Sequence, residues 1–135
     1  MNLLITGSNG QLGQEFHRIE GLSNHKFLFT DKDQLNICSF DSINSHMNKI
    51  EVDYIINCAA YTDVRKAEIE RKKALDVNSN GVKNLVNFCE KNNVKLIHFS
   101  TDYVYNSLNK KPINEDELID PQNYYGYTKR EGEKH

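Results

Sequence analysis

The chain has 135 residues, a length that suits one domain and is too short for two ordinary ones. Apolar residues make up 38% and charged residues 27%, the balance of a soluble folded chain and not of a disordered one. A net charge of −2 argues against non-specific binding to nucleic acid or an anionic membrane, and no apolar run approaches the ~20 residues of a membrane span.

In chain order, short apolar runs alternate with helical patterns. Asn2–Thr6 (NLLIT) and Lys26–Thr30 (KFLFT) read as the first two strands, with residues 53–57 (DYIIN) and 95–100 (KLIHFS) as the next two. Each is nearly continuously apolar, as expected of strands covered on both faces in a parallel sheet. Leu35 and Ile37, around Asn36, suit a fifth, short edge strand. Gln11–Ile19 follows a glycine-rich turn and reads as a helix. Residues 40–50 follow Ser39 as N-cap and carry Phe40, Ile43, Met47 and Ile50 along one face. Residues 74–90 place Val77, Gly81, Leu85, Phe88 and Cys89 on one stripe, and a last helix begins near Tyr124, after Pro121 and Asn123. Strand–helix alternation with right-handed crossovers predicts an α/β fold with a doubly wound parallel sheet, organised as a single domain over residues 1–135. The loop-rich stretch 105–123 follows a strand's C-terminal end, where ligands bind in such sheets.

The N-terminus runs directly into Leu3-Leu4-Ile5 with no basic region or cleavage site, so no signal peptide is visible. Cys38, Cys58 and Cys89 are an odd count with no CxxC spacing. They read as buried thiols in a reducing cytoplasm, not as metal ligands or disulfide partners.

The first turn, TGSNGQLG, puts Gly7, Gly10 and Gly13 at i, i+3 and i+6. Gly7 permits a tight exit from the strand. Gly10 allows backbone N–H groups to approach a pyrophosphate, and Gly13 allows close packing of the helix on the sheet. The triplet follows a predicted strand and opens a predicted helix, which is the context that gives it meaning. Asp31 closes the second strand 24 residues after Gly7, near the offset at which an acid meets the adenosine ribose. An acid there repels a 2′-phosphate and favours NADH, whereas Lys32 beside it attracts one and favours NADPH. It also suits a turn cap. The cofactor expectation is NADPH or NADH.

Tyr125 and Lys129 are four residues apart, so on a helix they share a face one turn apart. An adjacent ammonium lowers a phenol's pKa and makes it a usable acid near neutrality. Thr101, at the end of the fourth strand, can hydrogen-bond a substrate carbonyl held near that phenol, and Ser100 can do the same unless it points into the core. Asp102 suits either a loop cap or the site. His98, inside the strand, reads as a satisfied core histidine.

With these residues in hand, the chain resembles the extended short-chain dehydrogenase/reductase superfamily and, within it, the dTDP-4-dehydrorhamnose reductase family. The resemblance rests on ITGSNGQLG (5–13), NCAAYTDV (57–64), FSTDYVY (99–105) and PQNYYGYTK (121–129). GQLG and STDYV separate it from the epimerases and dehydratases of the same scaffold, which remain an alternative. The resemblance implies a Rossmann-like sheet, with Thr101, Tyr125 and Lys129 as catalytic residues. It implies Gly7, Gly10, Gln11, Leu12 and Gly13 at the pyrophosphate and Asp31 and Lys32 at the adenosine ribose. Asn36 and Ile37 then lie near adenine, Ala59, Ala60 and Tyr61 run along the cofactor, and Lys129 also holds the nicotinamide ribose. Asn78 corresponds to a helical asparagine near the active site.

The implied reaction is reduction of the 4-keto group of a dTDP-4-dehydro-6-deoxyhexose in the cytoplasm, with the dTDP-sugar as partner. Asn36 replaces a family Asp, Arg65 stands where an acid is usual, and Ile113 replaces an aromatic residue. The family runs to roughly twice this length, its last strands and sugar-nucleotide pocket lying beyond the lysine. The expectation for these residues alone is therefore cofactor binding with little turnover, and an exposed sheet edge that favours homo-oligomers. A non-catalytic regulatory subunit of the same fold is the competing reading.

Overall fold

The computed structural model describes residues 1–106 and 112–135; residues 107–111 of the loop stretch 105–123 lie outside the described residues. The strands are β1 (Asn2–Thr6), β2 (Lys26–Thr30), β3 (Tyr54–Asn57) and β4 (Lys95–His98). They form one four-stranded sheet in the order β2-β1-β3-β4, with every pairing parallel. Leu4 lies between Leu28 and Ile55, and Ile55 between Leu4 and Leu96. Parallel neighbours require crossovers, and the helices α1 (Gln11–Ile19), α2 (Phe40–Met47), α3 (Val64–Ala67), α4 (Arg71–Leu75), α5 (Gly81–Asn92) and α6 (Tyr124–Glu133) fill or follow them.

The strand period of two divides the apolar residues between two layers. On one face Leu4 and Ile55 pack with Ile43 and Met47 of α2 and Leu85, Phe88 and Cys89 of α5. On the other, Leu3, Ile5, Phe27 and Ile56 pack with Phe16 of α1 and Phe29. Each such side chain contributes roughly 1.5–3 kcal/mol when fully buried. The stripes expected along α2 and α5 are the ones that face this core.

Several expected boundaries are corrected. The fifth strand does not form: Leu35 N–H bonds to Asp31 O, Ser39 N–H to Asn36 O, and Asn36 N–H to the Ser42 hydroxyl. Turns thus satisfy the backbone that a strand would have needed to pair, while Leu35 and Ile37 still enter the core. The helix expected over 40–50 stops at Met47, and the strand expected over 95–100 stops at His98. The helix expected over 74–90 begins earlier and changes pitch. It runs as α4, then a π-helical turn (Asp76–Asn80), then α5, and ends at Asn93 in the left-handed conformation. A π turn carries an extra residue and re-aims the side chains around it. α3 was not anticipated; the Asp63 carboxylate caps it by accepting from Lys66 N–H at 2.9 Å.

Two exposures also differ from expectation. β4 is not covered on both faces: Ile97 and Phe99 are 43% and 40% exposed, because α1 covers the opposite end of that layer. The three thiols are not all buried either. Cys89 is buried and Cys58 half-buried, but Cys38 is exposed, its thiol donating to Asp76 O at 3.4 Å; all three are free. Among the described residues, no helix is long and apolar enough to cross a membrane.

β4 has β3 as its one sheet neighbour among the described residues, so its outer backbone edge is unpaired. Such an edge beside exposed Ile97 and Phe99 invites pairing with another chain. Light scattering is expected to find this chain self-associating as its concentration rises; a monomer at all concentrations contradicts that.

Candidate active site

A glycine brings the first turn against the sheet. Gly7 has φ +61°, and a Cβ there would lie 2.6 Å from Ala59 Cα. The turn leaving β1 therefore presses on the backbone leaving β3, and only glycine permits both the conformation and the approach. Gly13, buried in α1, seats the helix behind the turn. Gly10 is the N-cap of α1, and no side chain caps this terminus. Its first N–H groups and the positive end of the helix dipole are therefore available to an anion.

The turn opens onto a cavity of about 410 Å³ at the carboxyl ends of β1, β2 and β3. Gly7, Gly10, Asp31, Lys32, Asn36, Ile37, Ala59, Ala60 and Tyr61 all line it. Gln11, Leu12 and Gly13 do not; they sit in the first turn of α1 beside it. Asn9, Cys58, Lys73 and Val77 line it without having been anticipated. The GSNG spacing marks Asn9, but Lys73 arrives from a helix whose start the sequence does not signal.

Asp31 caps a turn and also lines the cavity. Its Oδ1 accepts from the N–H groups of Asp33 (2.9 Å) and Gln34 (3.0 Å), and its Oδ2 accepts from Asn9 Nδ2 (3.1 Å). These bonds, Gln34's first, hold the carboxyl below its ordinary pKa, so the group is charged at the cavity wall. On the far wall the Tyr61 hydroxyl donates to Glu70 at 3.0 Å, while Lys73 pairs with Glu70 and lies over the Tyr61 ring. Cys58 is pushed up to about 11 by burial and is unreactive as a thiolate.

α6 begins where Asn123 caps it, accepting from Gly126 N–H at 2.8 Å. Gly126 is needed here because a Cβ would lie 2.2 Å from Tyr103 O, so α6 rests directly on the 3₁₀ turn Asp102–Val104. That contact brings the Tyr125 phenol beside Thr101, near enough for the threonine side chain to lower its titration, and its ring edge-on to Tyr103 at 5.7 Å. Thr101 also caps the 3₁₀ turn, accepting from Tyr103 N–H at 3.3 Å and donating to Asp102 at 3.3 Å. Ser100 does not enter the core; its hydroxyl donates to Glu133 of α6. Arg65 is exposed on α3, and Ile113 is partly buried.

Lys129 is only 3% exposed, and its Nζ donates to Phe99 O at 2.6 Å and meets His98 Nε2 at 3.3 Å. Lys129 is one helical turn from Tyr125, as the spacing requires, with its Nζ on these two acceptors of β4 and the segment after it. Burial raises the Tyr125 phenol above its ordinary pKa, Thr101 opposes that rise, and Asp102 and Tyr103 add to it. Lys129 has turned towards β4. Burial lowers Lys129 itself to about 8, with Glu133 opposing.

Two buried asparagines join the cavity to α6. Asn78, on the π turn, accepts from Tyr61 N–H (2.8 Å) and donates to Tyr61 O (3.0 Å) and to the Thr128 hydroxyl (3.0 Å). Asn57 Oδ1 accepts from the Thr6 hydroxyl (2.6 Å) and Ala59 N–H (3.2 Å), while its Nδ2 lies 3.0 Å from His98 Nδ1. His98 is thus satisfied, as expected, but by a network that ends on Lys129. Asn78 thus sits between the cavity wall and α6, bound to the Tyr61 backbone and to Thr128.

A family model described as the RmlD substrate binding domain matches residues 1–135, and the chain belongs to that family. It is 36% identical over 133 residues to the dTDP-4-dehydrorhamnose reductase of Aggregatibacter actinomycetemcomitans, covering 98% of this chain and 45% of that protein. Among solved structures, the dTDP-4-dehydrorhamnose reductase of Clostridium acetobutylicum superposes with a TM-score of 0.94 at 38% identity, covering 99% of this chain and 48% of that one. The Bacillus anthracis dTDP-4-dehydrorhamnose reductase, in complex with NADP, gives 0.93 at 33% identity, covering 98% of this chain and 48% of that one. The fold is therefore the Rossmann-like sheet expected. The chain spans about half the length of the curated relatives it matches.

Asn78→Ala strands the buried N–H and C=O of Tyr61 and is expected to cost about 2–4 kcal/mol by denaturant titration. A loss below ~1 kcal/mol contradicts the joint described here. The pH dependence of folding supplies a second check. Burial, with the Lys129 charge adding, lowers His98 from 6.5 to about 4, so the unfolded chain binds more protons between those values. Stability from this group therefore rises with pH from about 4 to about 6.5 and is flat above. Denaturation midpoints of His98→Gln are expected to lose that slope.

Proposed function

We propose that this chain is the cofactor-binding and catalytic half of an NAD(P)H-dependent dTDP-4-dehydrorhamnose reductase. The observation that carries the reading is the Thr101–Tyr125 pair on the same sheet edge as a glycine-lined, uncapped helix N-terminus. A dinucleotide fits the residues present. Gly7 seats the turn against the backbone leaving β3, the α1 terminus suits a pyrophosphate, and charged Asp31 suits ribose hydroxyls. The cavity of about 410 Å³ is of ordinary size for a nucleotide moiety.

When bound, NADPH or NADH supplies the hydride for the C4 carbonyl of a dTDP-4-dehydro-6-deoxyhexose. Tyr125 gives its phenolic proton to the oxygen of that carbonyl as it gains negative charge. Thr101 donates a hydrogen bond to the same oxygen, stabilising charge that develops only as the reaction proceeds. Lys129 supplies donors for the nicotinamide ribose. Gly7, Gly10, Gln11, Leu12 and Gly13 frame the pyrophosphate. Asn36 and Ile37 border the adenine, Lys32 lies beside the ribose carboxylate, and Ala59, Ala60 and Tyr61 wall the crevice. A soluble cofactor and a soluble nucleotide-sugar substrate support a cytoplasmic location. The chain spans about half the length of its relatives, and turnover by these residues alone is expected to be low.

NADH and NADPH titrated in parallel against this chain are expected to bind. Asp31→Ala is expected to improve NADPH relative to NADH by on the order of tenfold, the effect of removing about 1.4 kcal/mol of repulsion from a 2′-phosphate. Failure of both cofactors to bind the native chain contradicts the proposal. So does Tyr125-dependent reduction of the dTDP-sugar by this chain at a full enzymatic rate, as regards the division of labour.

A further inference from the structure

With phosphates at the α1 terminus and a ribose at Asp31, as proposed above, the purine of a dinucleotide lies beyond the ribose, away from the glycine turn. Asn36, Cys38, Lys73 and Val77 line both the cavity and an open groove beside it, which Gly7, Gly10 and Asp31 do not line. They therefore mark the end of the cavity that the base takes. Leu35 and Ile37, on either side of Asn36 and also in the lining, are buried and apolar, so they offer a ring its face and no hydrogen bond. Most polar side chains at this end are engaged. The Cys38 thiol donates to Asp76 O at 3.4 Å, Lys72 pairs with Asp76, and Lys73 is held by Glu70 over the Tyr61 ring. Asn36 is the exception. Its Oδ1 accepts from Cys38 N–H at 3.0 Å, and a backbone N–H cannot reverse, so that atom is the oxygen. Its backbone N–H goes to the Ser42 hydroxyl and its backbone O takes Ser39 N–H, each at 3.0 Å. The two hydrogens on Nδ2 are left without a partner among the described residues.

We infer that Asn36 is a specificity-determining residue for the base of the cofactor: it meets the purine edge as a hydrogen-bond donor and so accepts a 6-oxopurine as readily as adenine. The two bases differ in what they show on that edge. Adenine presents acceptor ring nitrogens and a donor amino group, whereas a 6-oxopurine presents the same N7 acceptor and a second acceptor, O6. A carboxylate in this place can only accept. It pairs with the amino group and repels O6. An amide whose oxygen is held by Cys38 N–H offers its NH₂, and a donor finds an acceptor on either base. The second lone pair of Oδ1 still takes an amino hydrogen, so adenine keeps its place as well. Lys73, the other side-chain donor at this end, also only donates and does not tell the two bases apart by repulsion. The inference rests on the dinucleotide lying as proposed above; the choice of base is a separate property of Asn36.

The test is a pair of binding titrations, followed by dihydronicotinamide fluorescence, on the native chain and on Asn36→Asp. The ligands are NADH and its hypoxanthine analogue, in which O6 replaces the amino group. They carry the same phosphates and the same charge, so a change in folding or in site charge shifts both affinities alike and leaves their ratio. The native chain is expected to bind the two within about threefold of each other, less than the worth of one hydrogen bond. Asn36→Asp keeps an acceptor for Cys38 N–H and is expected to favour NADH over the analogue by roughly tenfold, because O6 then faces a carboxylate. A merely structural role for Asn36 would weaken both ligands and leave the ratio alone. A native preference for NADH beyond about threefold, or a ratio that Asn36→Asp does not move, overturns the inference and leaves the proposed function standing. Binding of neither ligand to the native chain contradicts both.

Discussion

Backbone that leaves a parallel sheet must find hydrogen-bond partners other than a strand, and at the end of β3 two buried amides provide them. Asn57 holds Ala59 N–H, and Asn78 holds both the N–H and the C=O of Tyr61. Both asparagines are 1% exposed, so each of these bonds replaces one that water cannot make. The wall of the cavity is therefore fixed by side chains from elsewhere in the chain. The same amides reach on to α6, Asn57 through His98 to Lys129 and Asn78 directly to Thr128. Whatever occupies the cavity is thus in register with the helix that carries Tyr125.

The π turn is what makes the second of these joints. A regular helix through residues 74–90 would have kept Asn78 in a continuous α-helical ladder. The extra residue of the π turn instead places it where it spans Tyr61 and Thr128. α6 comes close enough to be held because Gly126 and Gly132 present no side chain to the backbone they meet. Helix, turn and strand end are consequently one polar assembly over an apolar sheet. A site built this way owes its geometry to buried hydrogen bonds more than to loop packing.

Much of this was legible in the chain. Continuous apolar runs such as NLLIT and YIIN need cover on both faces, which the alternation with amphipathic helices supplies, and Ser39 announces its helix as N-cap. TGSNGQLG at a strand end likewise located the cavity, and Asp31 lies on its wall. The rest depended on packing that has no local signature. Leu35 and Ile37 are apolar enough for a strand, but turns and the Ser42 hydroxyl claimed the backbone between them. The pitch change at Asp76–Asn80 and the short α3 follow from tertiary contacts, not from propensity. The YxxxK spacing correctly put Lys129 one turn from Tyr125, yet spacing could not say that its Nζ would turn to His98 and Phe99 O.

The central claim is that cavity and α6 form one nucleotide site, joined by Asn57 and Asn78. An amide-detected NMR titration of this chain with NADPH tests it most directly, because it reads every backbone position at once. The account predicts shifts that begin at Gly7, Gly10 and Ala59 and extend, at the same ligand concentration, to Thr101, Tyr125 and Lys129. Shifts that stop at the glycine turn, or that fall on another face of the sheet, would contradict it.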